Sequence, residues 1–121
     1  MAKKRVLIVE DDQLIRDVLD EHFSSEGYET DLARTILEAQ ARIAANPPSI
    51  IVLDLMLPGP SGWDFLRERQ TDSALAQIPV VVISAAPQNR ILEAKELGAT
   101  AFLSKPFDLD ALSALINTYA S

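Results

Sequence analysis

Cysteine is absent from the 121 residues, which excludes disulfide frameworks, thiolate metal sites, iron–sulfur clusters and cysteine nucleophiles, and fits a reducing compartment. A single histidine, His22, rules out His-rich metal sites. The four glycines, at 27, 59, 62 and 98, form neither G-x-x-x-x-G-K-S/T nor G-x-G-x-x-G, so nucleotide phosphates have no glycine cradle. Long apolar runs are missing too. The longest nearly uncharged stretch, Ile50 to Leu57, falls far short of the about 20 residues that span a bilayer. Basic residues are few, 11 Lys and Arg against 18 Asp and Glu, and the net charge of −7 repels nucleic-acid backbones and anionic membranes. The start, MAKKRVLIV, runs straight into Glu10, Asp11 and Asp12 with no small-residue cleavage site, so an uncleaved cytoplasmic start is expected.

What remains is ordinary globular composition, 48% hydrophobic and 24% charged, enough for one core and one domain expected over residues 1–121. Val6 to Val9, Ile50 to Leu53, Val80 to Ile83 and the weaker Ala101 to Leu103 are continuous apolar runs, too short for helices and suited to strands buried on both faces. Tyr28 to Ala33 alternates and predicts an edge strand. Between the runs lie helical patterns. Leu14, Ile15, Val18, Leu19 and Phe23 share one face, and Gly27 ends that helix. Thr35 to Glu38 matches a capping box and Asn46-Pro47-Pro48 ends the helix it opens, while Ser61 to Asp64 is a looser version of the same signal. Pro87 and Gly98 bracket a fourth helix, and Asp108 caps a fifth carrying Leu109, Leu112, Leu115 and Ile116.

Strand then helix, five times over, predicts an α/β fold: a doubly wound, five-stranded parallel sheet of order 2-1-3-4-5, flavodoxin-like, with five helices. Ligands of such sheets bind at the carboxyl ends of the strands, where this chain places Glu10, Asp11, Asp12, Asp54, Ser84 and Lys105. Clustered carboxylates need a counter-charge. Oxygen donors without Cys or usable His point to Mg²⁺, with Mn²⁺ as a substitute, and leave Lys105 and Ser84 to face an anion beside the metal. Asp54, ending the central strand, is the best-placed nucleophile, since aspartate can form an acyl phosphate when cations offset the developing charge.

These residues carry a resemblance that covers essentially the whole chain. VLIVEDD, IIVLDLMLPGPSG, VVVISA and GATAFLSKPF, in that order, resemble the receiver domain of two-component response regulators, the chemotaxis-regulator-like family. The resemblance implies Asp54 as phosphoacceptor, Asp11 as a direct Mg²⁺ ligand, Glu10 as a ligand through water, and the Met56 carbonyl as a further ligand. It implies that Lys105 pairs with the phosphoryl group, that Ser84 bonds to it after modification, that Phe102 is the aromatic whose rotation follows Ser84, and that Pro106 is cis. Asp12 is a neighbour without an assigned role. Family members take phosphoryl groups from a phosphohistidine on a kinase or phosphotransfer protein, catalyse only that transfer and their own dephosphorylation, and signal through a target protein.

Three alternatives keep this fold or site: a receiver-like binding module that is not phosphorylated, a Mg²⁺ phosphohydrolase, and a receiver taken from a larger hybrid kinase or transcription regulator. The hydrolase usually carries a second acid where this chain has Met56. Ala101 replaces the acidic residue common before the aromatic in members that dimerise through this face, and DALSALINTYAS holds no basic residue, so a monomer is expected. His22 is expected on the exposed polar side of the first helix, and Trp63 partly in the core. Apolar Met56 and Ala86 stand where the family tunes access of the attacking water. Dephosphorylation is therefore predicted to be no faster than the family average, and a phosphoryl half-life of seconds, followed by intact mass, would contradict this.

Overall fold

The computed structural model describes residues 3–120. Met1 and Ala2, part of the expected uncleaved start, and Ser121 lie outside the described residues. Strands β1 (Arg5–Val9), β2 (Glu29–Ala33), β3 (Ile50–Asp54), β4 (Val80–Ser84) and β5 (Ala101–Ser104) alternate with helices α1 (Gln13–Ser25), α2 (Ile36–Ala45), α3 (Gly62–Thr71), α4 (Ser73–Ala76), α5 (Gln88–Glu96) and α6 (Leu109–Tyr119). All neighbouring strands pair in parallel, in the order β2-β1-β3-β4-β5 that the apolar runs predict.

Six helices are described where five were expected. The addition, α4, is a single turn of four residues capped by Asp72, whose carboxylate accepts from the Ala74 and Leu75 N–H groups. Four residues are too few to display a helical period. Among the described helices, no helix is long and apolar enough to cross a membrane.

The period of two along each strand divides the core between the faces of the sheet. Leu7, Val9, Ile51, Leu53, Val80 and Val82 face α2, α3, α4 and α5, whereas Val6, Ile8, Ile50, Val52, Val81 and Ile83 face α1 and α6. Every residue of β3 and β4 is buried, which explains why their sequences do not alternate. Each apolar side chain of these strands contributes roughly 1.5–3 kcal/mol by leaving water, so their Val, Ile and Leu residues hold the centre of the fold.

Side-chain caps open α1, α2, α3, α4 and α6, from Asp12, Thr35, Ser61, Asp72 and Asp108. The complete capping box is the one at Ser61 and Asp64, not the one at Thr35 and Glu38. The Glu38 carboxylate is drawn instead to the Arg34 backbone N–H, at 3.2 Å, and to the Arg34 guanidinium. Arg69, unremarkable in sequence, is buried on α3, where its guanidinium donates to the carbonyls of Ile78 (2.9 Å), Gly98 (3.1 Å) and Ala76 (3.4 Å) and so ties α3 to the turns before β4 and β5. His22 departs from its expected exposed position. Its Nε2 lies 2.6 Å from the buried Ser113 hydroxyl, because α6 packs across the end of α1.

Gly62 is a further fixed point. Its N–H donates to the Leu55 carbonyl at 2.9 Å, and a Cβ there would stand 2.6 Å from the Asp54 carbonyl oxygen and 2.7 Å from Leu55 Cα. Both obstacles are backbone, so neither can rotate away. Gly62→Ala is expected to cost about 1–3 kcal/mol, read as a lower urea midpoint at unchanged slope. An unchanged midpoint would show that the segment after Asp54 can recede.

Candidate functional site

β1 and β3 are adjacent and parallel, with Val9 opposite Leu53, so the next positions, Glu10 and Asp54, leave the sheet side by side. Both continue the phase of the residues that face α1 and α6. Glu10 is fully buried, Asp54 is 4% exposed, and Asp11 is open to solvent. One carboxylate oxygen from each of Glu10, Asp11 and Asp54 lies within 4.8 Å of the others.

Lys105, immediately after β5, sends its ammonium between two of these acids, 2.5 Å from Glu10 Oε1 and 3.2 Å from Asp54 Oδ2. Burial alone would lower the Lys105 pKa, but the hydrogen bonds and charges of Glu10 and Asp54 outweigh it and hold the group above its usual value. Glu10 moves up as well, to about 7, chiefly through burial and then through Asp54, with Lys105 opposing. Asp54 Oδ1 accepts from the Met56 N–H at 3.2 Å.

The acidic loop is secured from α1. Arg16 donates from Nη1 to the carbonyls of Glu10 (3.0 Å) and Asp11 (3.1 Å), a contact that no spacing rule in the sequence announces. Asp12 turns its carboxylate to the Leu14 and Ile15 N–H groups at the start of α1, so it serves as a helix cap and not as part of the cluster. Of the remaining candidates, Ser84 is fully buried and keeps the phase of Val80 and Val82, toward α5, and its hydroxyl accepts from the Ala86 N–H at 3.0 Å. Its carbonyl accepts from the Lys105 N–H at 2.8 Å. The Phe102 side chain sits on the surface at 37% exposure, Met56 is exposed, and the Lys105–Pro106 peptide is cis.

Two observations fit this cluster to a hard divalent cation. All its donors are oxygen, and Glu10 Oε2 is a buried carboxylate oxygen with no hydrogen-bond partner among the described residues. Mg²⁺ bonds of about 2.1 Å keep ligand oxygens within about 4.2 Å of one another, so direct ligation by all three acids would ask for small rotations, and a water in place of one contact would ease that demand.

Residues 6–117 match the family described as response regulator receiver domain. The chain is 33% identical over 120 residues to sporulation initiation phosphotransferase F of Bacillus subtilis, covering 98% of this chain and 95% of that protein. It is also 33% identical to the phosphate regulon transcriptional regulatory protein PhoB of Pseudomonas aeruginosa over 88% of this chain but 47% of PhoB, and it spans about half the length of the other transcriptional regulators it matches. Among solved structures it is similar to a response regulator receiver protein of Pseudomonas putida, with TM-score 0.90, 27% identity and 98% of each chain covered. Chemotaxis protein CheY4 of Vibrio cholerae gives TM-score 0.88 at 26% identity over 98% of this chain and 99% of that one.

The raised Glu10 pKa predicts how stability depends on pH. A carboxyl that titrates at about 7 in the folded chain against an ordinary 4.5 binds its proton more tightly when folded. Its contribution is therefore complete below about 4.5 and is lost as the pH rises through about 7. Metal-free protein should show a urea midpoint that falls across this window relative to Glu10→Gln, and stabilisation by Mg²⁺ should grow across the same window as the carboxylate ionises. Parallel pH profiles for wild type and Glu10→Gln would refute this.

Proposed function

The chain belongs to the response regulator receiver domain family of two-component signalling, and we propose that Asp54 accepts a phosphoryl group from a phosphohistidine donor and that the product switches a protein-binding surface. The observation that carries this reading is Lys105 held between Glu10 and Asp54 beside a third carboxylate, Asp11, at the ends of adjacent strands. Receivers are phosphoacceptors and not classical enzymes, and this site has the parts an acceptor needs.

In the proposed step, an Asp54 carboxylate oxygen attacks phosphorus, the N–P bond of the donor breaks, and its electron pair stays on the histidine nitrogen. Lys105, 3.2 Å from Asp54 Oδ2, is within reach of the incoming phosphoryl oxygens and offsets the charge they bring. Mg²⁺, held by Asp11, Asp54, the Met56 carbonyl and, through water, Glu10, would supply further neutralisation of that charge. The Met56 N–H on Asp54 Oδ1 fixes the plane of the acceptor carboxylate. Afterwards Ser84 turns its hydroxyl to the phosphoryl group and Phe102 follows, shifting the surface formed by α5, β5 and α6 by the differential stability of the two states.

The donor is a histidine kinase or a histidine phosphotransfer protein, and the output is a target protein contacted in the cytoplasm by a monomeric chain. The rim of the site favours a protein donor. Leu14 and Val18 on α1, 73% and 42% exposed, line an apolar groove with Pro106, Phe107 and Leu109, and Lys105 belongs to both groove and site. A histidine reaching Asp54 from the α1 side would lay its surrounding surface in that groove. The name phosphotransferase on the B. subtilis relative accords with transfer as the activity.

Intact mass tests the reading. With Mg²⁺ and acetyl phosphate the protein should gain one phosphoryl group, and Asp54→Asn or omission of the metal should abolish the gain. If no gain appears and beryllofluoride does not bind either, the chain is a receiver-like binding module that works without phosphorylation.

A further inference from the structure

α5 differs from every other helix described. It starts at Pro87 with no side-chain cap hydrogen bond, whereas the other five carry one. Its first turn has another anchor. Trp63, 7% exposed on α3, donates its indole N–H to the Arg90 carbonyl at 2.9 Å, and the Arg90 guanidinium lies 4.1 Å over the centre of the Trp63 ring. Ion pairs extend the contact: Arg90 to Glu93 at 3.0 Å, Glu93 to Arg67 at 3.1 Å, and Arg67 to Asp64 at 3.1 Å. The indole does not replace the missing cap, since it donates to a carbonyl and accepts from no free N–H, but it ties the first turn of α5 to α3.

The anchored turn lies close in sequence to the proposed switch. Ser84 Oγ accepts from the Ala86 N–H at 3.0 Å, and Arg90 follows four residues after Ala86. A rotation that carries the Ser84 hydroxyl to a phosphoryl group would draw its oxygen away from that N–H, and the short segment through Pro87 connects it to the turn that Trp63 contacts.

We propose that Trp63, with Arg90, is a positioning residue that holds the start of α5 and thereby the resting arrangement of Ser84, so that it sets how readily the site accepts its phosphoryl group. This rests on the phosphoacceptor reading above. Loosening the anchor raises the population of the arrangement that favours the modified site.

The test uses beryllofluoride with Mg²⁺ as the probe, alongside intact mass with acetyl phosphate. In wild type, emission from Trp63, the chain's single tryptophan, should change on beryllofluoride binding. Trp63→Phe keeps a ring but loses the donor, and should bind beryllofluoride about fivefold more tightly by calorimetry, the effect of one ordinary hydrogen bond on an equilibrium constant. Arg90→Ala, at a partly exposed side chain, guards against misfolding. It should tighten binding by a smaller factor, and Arg90→Lys should restore part of the difference by returning a cation to the ring. Tight beryllofluoride binding with unchanged Trp63 emission and wild-type affinity in both variants would overturn the proposal while leaving the phosphoacceptor reading intact. No binding and no mass gain in wild type would overturn that reading, and the proposal with it.

Discussion

Two carboxylates at the ends of neighbouring parallel strands impose the constraint around which the rest of this molecule is arranged. Glu10 and Asp54 come side by side because Val9 and Leu53 are in register, and the burial of the strands behind them leaves neither acid room to retreat. At about 5 Å and an effective dielectric of about 20, two such charges repel by about 3 kcal/mol. The chain answers with one ammonium, Lys105, and with a raised Glu10 pKa that leaves part of the charge unformed near neutrality. The remaining imbalance, including an unpartnered Glu10 oxygen, is what a divalent cation relieves.

Holding like charges together requires a backbone that cannot drift apart, and the loops around the site are fastened from several directions. Arg16 grips the carbonyls of Glu10 and Asp11, Asp12 closes the start of α1, and Gly62 lets α3 begin against the backbone of Asp54 and Leu55. The Ser61 and Asp64 capping box then fixes the direction of α3. On the far side, the Lys105 N–H bonds the Ser84 carbonyl, so the ammonium, the hydroxyl-bearing strand and the acids share one rigid frame.

Much of this was legible in the sequence, for a physical reason: short continuous runs rich in Val and Ile, bounded by helical patterns, suit strands buried on both faces, and parallel strands separated by helices deliver their carboxyl ends to one edge. Hence Glu10, Asp11, Asp54 and Lys105 could be placed together although no local motif links them. Strand ends were less legible. β3 and β4 extend through Asp54 and Ser84, because a buried polar residue can remain in the ladder where an apolar pattern stops. Asp12 read as a possible member of the cluster, since a cap and a ligand both look like an acid at a strand end. Arg16, Arg69 and His22 were missed because their partners are backbone carbonyls or residues of elements distant in sequence, and periodicity sees only which face a residue lies on.

The alternation of the sheet gives the proposed signal its path. Asp54 continues the phase that faces α1 and α6, whereas Ser84, on the adjacent strand, continues the phase that faces α5. A group added at Asp54 and read by Ser84 therefore carries its effect from one layer of the fold to the other. β3 and β4 are buried at every position and cannot yield much, so a displacement at the edge passes to whatever is least firmly attached there. The candidate beside Ser84 is α5, the one described helix without a side-chain cap, its first turn held by Trp63 from α3. A rigid acidic corner and one uncapped helix beside it are complementary requirements. The first makes the charge change costly to ignore, and the second gives it one direction in which to be relieved.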